Sequence, residues 1–264
     1  MSELVYSLPT WLLGVLVVGA WTALAGLGVA VARPMVLKRL GERHHDVVVP
    51  LFLTTATMYA IVAAFMVVVV WQRYADADAA DRRESTVLVA LYRETLGMPP
   101  ALADGLRADL RAYTAAVIDQ ELPAARRGET SAAAQSSLDR LFGRSVTRTP
   151  QSGDLPEVYQ GFITNLGLLA ELRAGRVLTS RSGLPGILSF GLVAGGVLTI
   201  ANSALFVMQR RALQILAAAL MGSMIGLLLF VVLVLAQPYA GDAAVGSGDY
   251  AYALGVFHAV DAGR

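Results

Sequence analysis

Few side chains in this sequence are of a kind that does chemistry, and their spacing limits what they could do. There are three histidines, His44, His45 and His258, and no cysteine. His44 and His45 are adjacent, so on a helix they point about 100° apart and cannot form the paired-ligand geometry of an i, i+4 spacing. Asp46 follows and could accept a hydrogen bond, yet a solvated loop is the simpler setting for this trio. Without cysteine there are no disulfides, thiolate nucleophiles or sulfur-ligated metals. No glycine-rich phosphate loop, serine-nucleophile motif or zinc spacing is present. The expectation is a protein that is not an enzyme and uses no cofactor and no metal.

What remains is a set of uncharged polar side chains in apolar surroundings: Thr54, Thr55, Thr57 and Tyr59 in one stretch, Thr199, Asn202 and Ser203 in another. Hydroxyls and amides can replace hydration water around a passing ion. They also bond across helices or back to their own backbone, and this structural role is the simpler one for most of them. The candidates for lining a pore are Thr54, Thr57, Tyr59, Phe65 and Asn202, with the apolar run Phe65–Val70 as a constriction that could gate by dewetting.

The elements that carry these residues follow from hydropathy. Of the 264 residues, 56% are apolar and 16% charged, against roughly 45–50% and about 25% in ordinary soluble domains. The excess sits in four uncharged blocks: Trp11–Ala32, Leu51–Trp71, Gly186–Met208 and Ala212–Ala236. A bilayer core of about 30 Å takes about 20 helical residues, so each block can span. Residues 1–10 hold no Lys or Arg, whereas a signal peptide opens with positive charge, so the first block is expected to be retained as a helix. Trp11, Trp71, Tyr74 and Tyr239 stand near block ends, where aromatic side chains anchor at headgroup level. Small residues recur at helical spacing in all four blocks, with Gly19, Ala23 and Gly26, then Gly191 and Gly195, then Gly222 and Gly226 as helix-packing candidates. In lipid, close backbone approach over small side chains drives association.

Arg33, Lys38, Arg39 and Arg43 crowd the first connection, and Arg210 and Arg211 fill the turn between the last two blocks. The positive-inside rule puts both in the cytoplasm. The N-terminus, the long insert between the second and third blocks and the C-terminus then face outward. Net charge is +1, which gives no field for nucleic acid. The expected partners are membrane lipid, further copies of the chain in a homo-oligomer, and small ions.

The insert, residues 73–185, holds 14 Arg, 14 acidic residues and no Lys. Leu102, Leu106, Leu110, Tyr113 and Val117 make one helical stripe, entered through Pro99 and Pro100. Ser131 or Thr130 can cap a second helix that uses Leu138, Leu141 and Phe142. Tyr159, Phe162, Leu166, Leu169 and Leu172 make a third stripe after Asp154–Pro156, and Ser85–Leu96 can prolong the second span. Residues 128–130 and 151–154 read as loops. The balanced charges read as a solvated face with surface pairs, each worth about 0–1 kcal/mol. The fold class is therefore all-α and integral to the membrane, with four transmembrane helices and an inserted helical extramembrane domain. It divides as 1–72, 73–185, 186–236 and a C-terminal tail, 237–264.

Several segments resemble the bestrophin-like bacterial membrane proteins. The family's histidine and acid or amide, followed by an apolar run from tyrosine to tryptophan, are similar to His45, Asp46 and Tyr59–Trp71, including Phe65. Its Glu-x-x-x-Leu-x-x-Leu-Tyr-Arg segment resembles Glu84–Arg93. Its Arg-Ser-Gly-Leu-Pro entry to the third span appears as Arg181–Pro185. Its closing motif resembles Leu235–Val245 with Pro238 and Gly241 in place, although Ala236 replaces an acid and Tyr239 a phenylalanine. The resemblance implies four membrane helices per subunit, a helical domain and a distant likeness to pentameric anion channels. It also implies a cytoplasmic insert, opposite to the side that the short-loop charges indicate. The leading functional expectation is an oligomeric ion channel or pore for small anions. The other is a non-conducting scaffold or sensor whose helical domain binds a partner or ligand.

Overall fold

The computed structural model describes residues 9–40, 45–127, 129–146, 156–181, 183–241 and 244–263. Among them every regular element is helical. The helices are α1 (Thr10–Leu40), α2 (His45–Glu94), α3 (Pro100–Ala116), α4 (Leu122–Ala125), α5 (Ala132–Val146), α6 (Pro156–Arg181), α7 (Gly186–Ser203), α8 (Arg211–Leu235) and α9 (Gly248–Ala262). A single 3₁₀ turn, Thr95–Gly97, follows α2, and a π-helical turn, Val117–Glu121, joins α3 to α4. The expected loop at 151–154 and Gly128 lie outside the described residues.

The chain forms two compact units, each built from separated stretches. The first comprises residues 1–74 and 184–237, and the second residues 75–183 and 238–264. Helix α2 supplies its first part to one and its remainder to the other. At 50 residues and 1.5 Å per residue it is about 75 Å long, far more than a bilayer core requires.

In the first unit, α1, α2, α7 and α8 are each long and apolar enough to cross a membrane. Only 17% of the most apolar window of α1, and the same share of α2, is buried inside the protein. Trp11, Leu27, Val31, Phe65, Ile187, Phe190 and Met224 are all well exposed. Water would penalise so much bare apolar surface, and lipid is the solvent that accepts it.

Helices α1 and α8 come close at two glycines of α8. A Cβ built on Gly222 would stand 2.5 Å from the Trp21 carbonyl oxygen and 2.6 Å from Ala25 Cβ, and one on Gly226 would stand 2.9 Å from Val18 Cα. Gly195 of α7 receives the Tyr59 ring, 2.7 Å from where its Cβ would lie. Gly26 makes ordinary contact with Ile215 and Ala219, while Gly19 and Gly191 meet nothing within 4 Å and Ala23 is exposed. Around these contacts Ala25, Val29, Ala63, Met66, Val70, Leu192 and Ile225 form a buried core.

Helix α7 stops at Ser203 instead of continuing to Met208. The Ser203 hydroxyl donates back to the Ile200 carbonyl at 2.7 Å, and the chain turns over Gln214, whose side-chain amide donates to the Phe206 carbonyl. Arg33 donates to the Met208 carbonyl at 2.9 Å, so the end of α1 and the α7–α8 turn lie together.

In the second unit, Pro99 and Pro100 open α3, and Ser131 Oγ accepts the amides of Ala133 and Ala134 at 3.2 and 3.3 Å, capping α5. Residues 237–264, read from the sequence as a tail, contain α9, whose Tyr250, Ala253 and Phe257 are buried. Phe257 stacks on Tyr92 with ring centroids 4.1 Å apart. Gly241, at φ 76°, is the one described residue with a left-handed backbone, and it permits the turn in which the Val245 amide bonds the Pro238 carbonyl at 2.8 Å. Tyr239 is not an interface anchor. It is 3% exposed and its hydroxyl donates to Asp81 Oδ1 at 3.2 Å.

Replacing Gly222 with Val should lower stability by about 1–3 kcal/mol or more, because the neighbour in the way is backbone. Gly191→Ala should leave the melting temperature of the detergent-solubilised protein nearly unchanged. Thermal melts of the two variants side by side check the α1–α8 contact.

Candidate functional site

The stripes that define the second unit do not end on apolar residues. On α6 the run Phe162, Leu166, Leu169 continues at the same helical spacing to Arg173 and Arg176, both buried. On α2 the run Leu91, Leu88 continues backward to Glu84 and Asp81, each 0% exposed. From α3 the run Leu110, Tyr113 passes through Val117 to Glu121, 1% exposed, both in the π-helical turn. Three core faces therefore converge on charge.

Arg176 is the centre. Its guanidinium bonds Glu84 through Nε and Nη2, each at 3.0 Å. Nη1 lies 3.0 Å from Glu121 Oε1, and Nε lies 3.6 Å from Asp81 Oδ1. The guanidinium carbon sits 5.8 Å from the Tyr250 ring centroid. Arg173 grips Glu121 through Nε and Nη2, with Nη2 to Oε2 at 2.8 Å, and also donates to Gln135. Tyr113 donates to Glu84 Oε1 at 2.7 Å. Burial and the facing Glu84 carboxylate push the Tyr113 phenol well above its ordinary range, so it stays a hydrogen donor. Burial alone would lower the Arg176 pKa, but Glu84 and its other partners outweigh that and raise it, so the guanidinium remains charged.

These side chains overturn the expectation of a solvated, surface-paired insert. Arg82–Asp78 and Arg127–Glu129 are exposed pairs of that kind, but the array around Arg176 is sealed. So is Arg107, 2% exposed, which donates to Thr95 Oγ1 at 2.7 Å and faces the Tyr92 ring at 5.7 Å. Composition cannot tell paired charges in water from paired charges in a core. The spacing could have, because the charged residues occupy core positions of otherwise apolar stripes.

The pore candidates divide between two faces of α2. Thr55, Tyr59, Ala63, Met66 and Val70 point into the first unit, where the Asn202 side-chain amide donates to Thr55 Oγ1 at 3.2 Å. Thr54, Thr57, Ile61, Phe65 and Val68 share the opposite, exposed face. Thr54 and Thr55 donate to the Pro50 and Leu51 carbonyls at 2.9 and 2.8 Å, and Thr199 donates to the Gly195 carbonyl at 2.8 Å. Most hydroxyls thus satisfy themselves on their own helix. Of the motif residues, Trp71 is exposed and stacks on Tyr74 at 6.4 Å, Arg181 and Pro185 are exposed, and Pro238 is buried. The side chains of His45 and Asp46, like His44, lie outside the described residues.

Arg176→Met, which strands Asp81, Glu84 and Glu121 without their shared cation, should cost about 3–5 kcal/mol. Arg82→Met, at an exposed pair, should cost well under 1 kcal/mol. Chemical denaturation followed by the near-ultraviolet signal of the surrounding tyrosines checks the contrast.

No curated protein and no solved structure matches the chain. Residues 19–250 match the model of the Bestrophin-like domain. The match takes in all or most of the four apolar helices and runs through the whole insert to Tyr250, and the chain belongs to the Bestrophin-like family.

Proposed function

We propose that the chain assembles into an oligomeric pore in the bacterial inner membrane that passes small ions, anions first among them, with a non-enzymatic role. The observation that carries this reading is the outward stripe of α2. Thr54, Thr57, Ile61, Phe65 and Val68 recur at steps of three and four on the face turned away from the subunit's own core. Two hydroxyls at one end and three bulky apolar side chains beyond them make a face suited to surround an axis. The threonines would give a wet vestibule, and a ring of Phe65 side chains would form an apolar constriction. Tyr59 and Asn202, on the inward side, hold α2 against α7 and set the angle of that face. Family membership supports the same reading, because bestrophins are anion channels.

The basic ends of unit one support an orientation with Arg33, Lys38, Arg210 and Arg211 in the cytoplasm, and with the N-terminus, insert and C-terminus outside. The bond from Arg33 to the Met208 carbonyl keeps the two basic connections at one end.

A second reading, a non-conducting scaffold or sensor, is favoured by the back-bonded hydroxyl of Thr54, which leaves that side chain less free to coordinate an ion. Flux decides between them. Purified protein in chloride-loaded liposomes should release chloride, and Phe65→Ala should raise the rate several-fold by widening the constriction. A monodisperse protein that passes no ion at any pH, with Phe65→Ala equally silent, overturns the channel. A reporter fused within the insert that is active only in the cytosol overturns the orientation.

A further inference from the structure

The array around Arg176 has more acid than base. Asp81, Glu84 and Glu121 face Arg173 and Arg176, all five within a tenth of full burial or less. If every group is ionised, one negative charge is left over in a sealed interior, where an unbalanced charge is strongly disfavoured. Glu84 and Glu121 take the short contacts with the guanidinium groups, whereas Asp81 stands off at 3.6 Å. Asp81 Oδ1 accepts from Tyr239, while Oδ2 makes no hydrogen bond of ordinary geometry, and neither does the hydroxyl of Tyr250, although that phenol acts on the same carboxyl. A hydrogen on Oδ2 would cancel the surplus charge.

We propose that the Asp81 carboxyl is a proton-binding site of the second unit, and that its bound proton keeps α9, which covers it with Tyr250, in place by sparing the interior an unhydrated charge. Asp81 lies ten residues past Trp71, in a stretch with Asp76, Asp78, Arg82 and Arg83, and so beyond the part of α2 that needs lipid. Glu84 from its own helix, Arg176 from α6, Tyr239 from the connection and Tyr250 from α9 face it directly, and behind them Tyr113 of α3 bonds Glu84 while Glu121 of the π-helical turn bonds Arg173 and Arg176. Asp249, next to Tyr250, accepts the Ser85 hydroxyl on its main-chain carbonyl at 2.6 Å. Desolvation is the largest influence on Asp81 and, with repulsion from Glu84, outweighs the attraction of Arg176 and the two phenols, pushing the carboxyl from 3.8 up to about 7. Among the described residues no group of three or more acidic or histidine side chains is arranged to hold a metal ion.

The linkage has a definite sign. The folded protein holds this proton at a pH where the unfolded chain has released it, so the stabilisation is fully present below the ordinary carboxyl range and fades as pH rises through about 7. On release the O–H bond opens, the proton passes to water, and a carboxylate remains beside Glu84.

The test is infrared difference spectroscopy of the full chain in nanodiscs during a pH titration, with amide hydrogen exchange of α9 measured in parallel. The carbonyl band of a protonated carboxylic acid should disappear with a midpoint near 7 and be missing in Asp81→Asn. Exchange in α9, corrected for its intrinsic pH dependence, should speed up about tenfold above the midpoint in wild type and stay flat in the variant. Tyr239→Phe, which removes a bond to the charged form, should move the midpoint upward, and this keeps the test decisive if Asp81→Asn does not fold. A wild type with no titrating band near neutrality, a band that survives in Asp81→Asn, or a midpoint that moves down in Tyr239→Phe overturns the proposal. So does a carboxylate ionised at every pH with stability that rises on adding potassium or calcium, which would make the ligand a cation.

Discussion

The second unit depends on keeping two guanidinium groups out of water. A buried charge is tolerated only where partners replace its hydration, and Arg173 and Arg176 obtain theirs from distant parts of the sequence. Glu84 lies 92 residues from Arg176 and Glu121 lies 52 residues from Arg173. Each bond therefore fixes the register of one helix against another, which apolar side chains alone do loosely, since a leucine slides past a leucine at little cost. A helix rotated by one residue would leave a charge without a partner, so the array selects one packing among several that are equally apolar.

The first unit solves a different problem with different means. Its helices have lipid on most of their surface, so apolar side chains bring no gain by meeting one another. Specific fit comes from contact distance: the missing side chains of Gly222 and Gly226 let the α8 backbone come up against Val18 and Trp21. The two units thus divide the labour of specificity, close packing in the one and charge pairing in the other.

Much of this was legible in the sequence, because the relevant signals are local. Four uncharged blocks fix four long apolar helices, Pro99–Pro100 and Ser131 mark helix starts, and the apolar stripes of α3, α5 and α6 predict their buried faces. Three features were not legible, each for a physical reason. Whether Arg176 meets water or carboxylates depends on which helices surround it, and no single stripe states that. Stripes of small residues looked alike on every helix, but only glycines that face a neighbouring backbone act, so Gly222 matters and Gly19 does not. Tyr239 stands just past the last apolar block, as an anchor would, yet the turn at Gly241 carries it into a core.

The discontinuous make-up of both units has a consequence for biosynthesis. Asp81 and Glu84 leave the ribosome early and Arg176 much later, while Tyr239 and Tyr250 follow only after the whole of α8. During that interval the acidic side of the array has no cation, and afterwards the cations lack their aromatic cover. The second unit can close only after Tyr250 has been made. Translation order thus makes the segment from Pro238 through α9 the step that completes it.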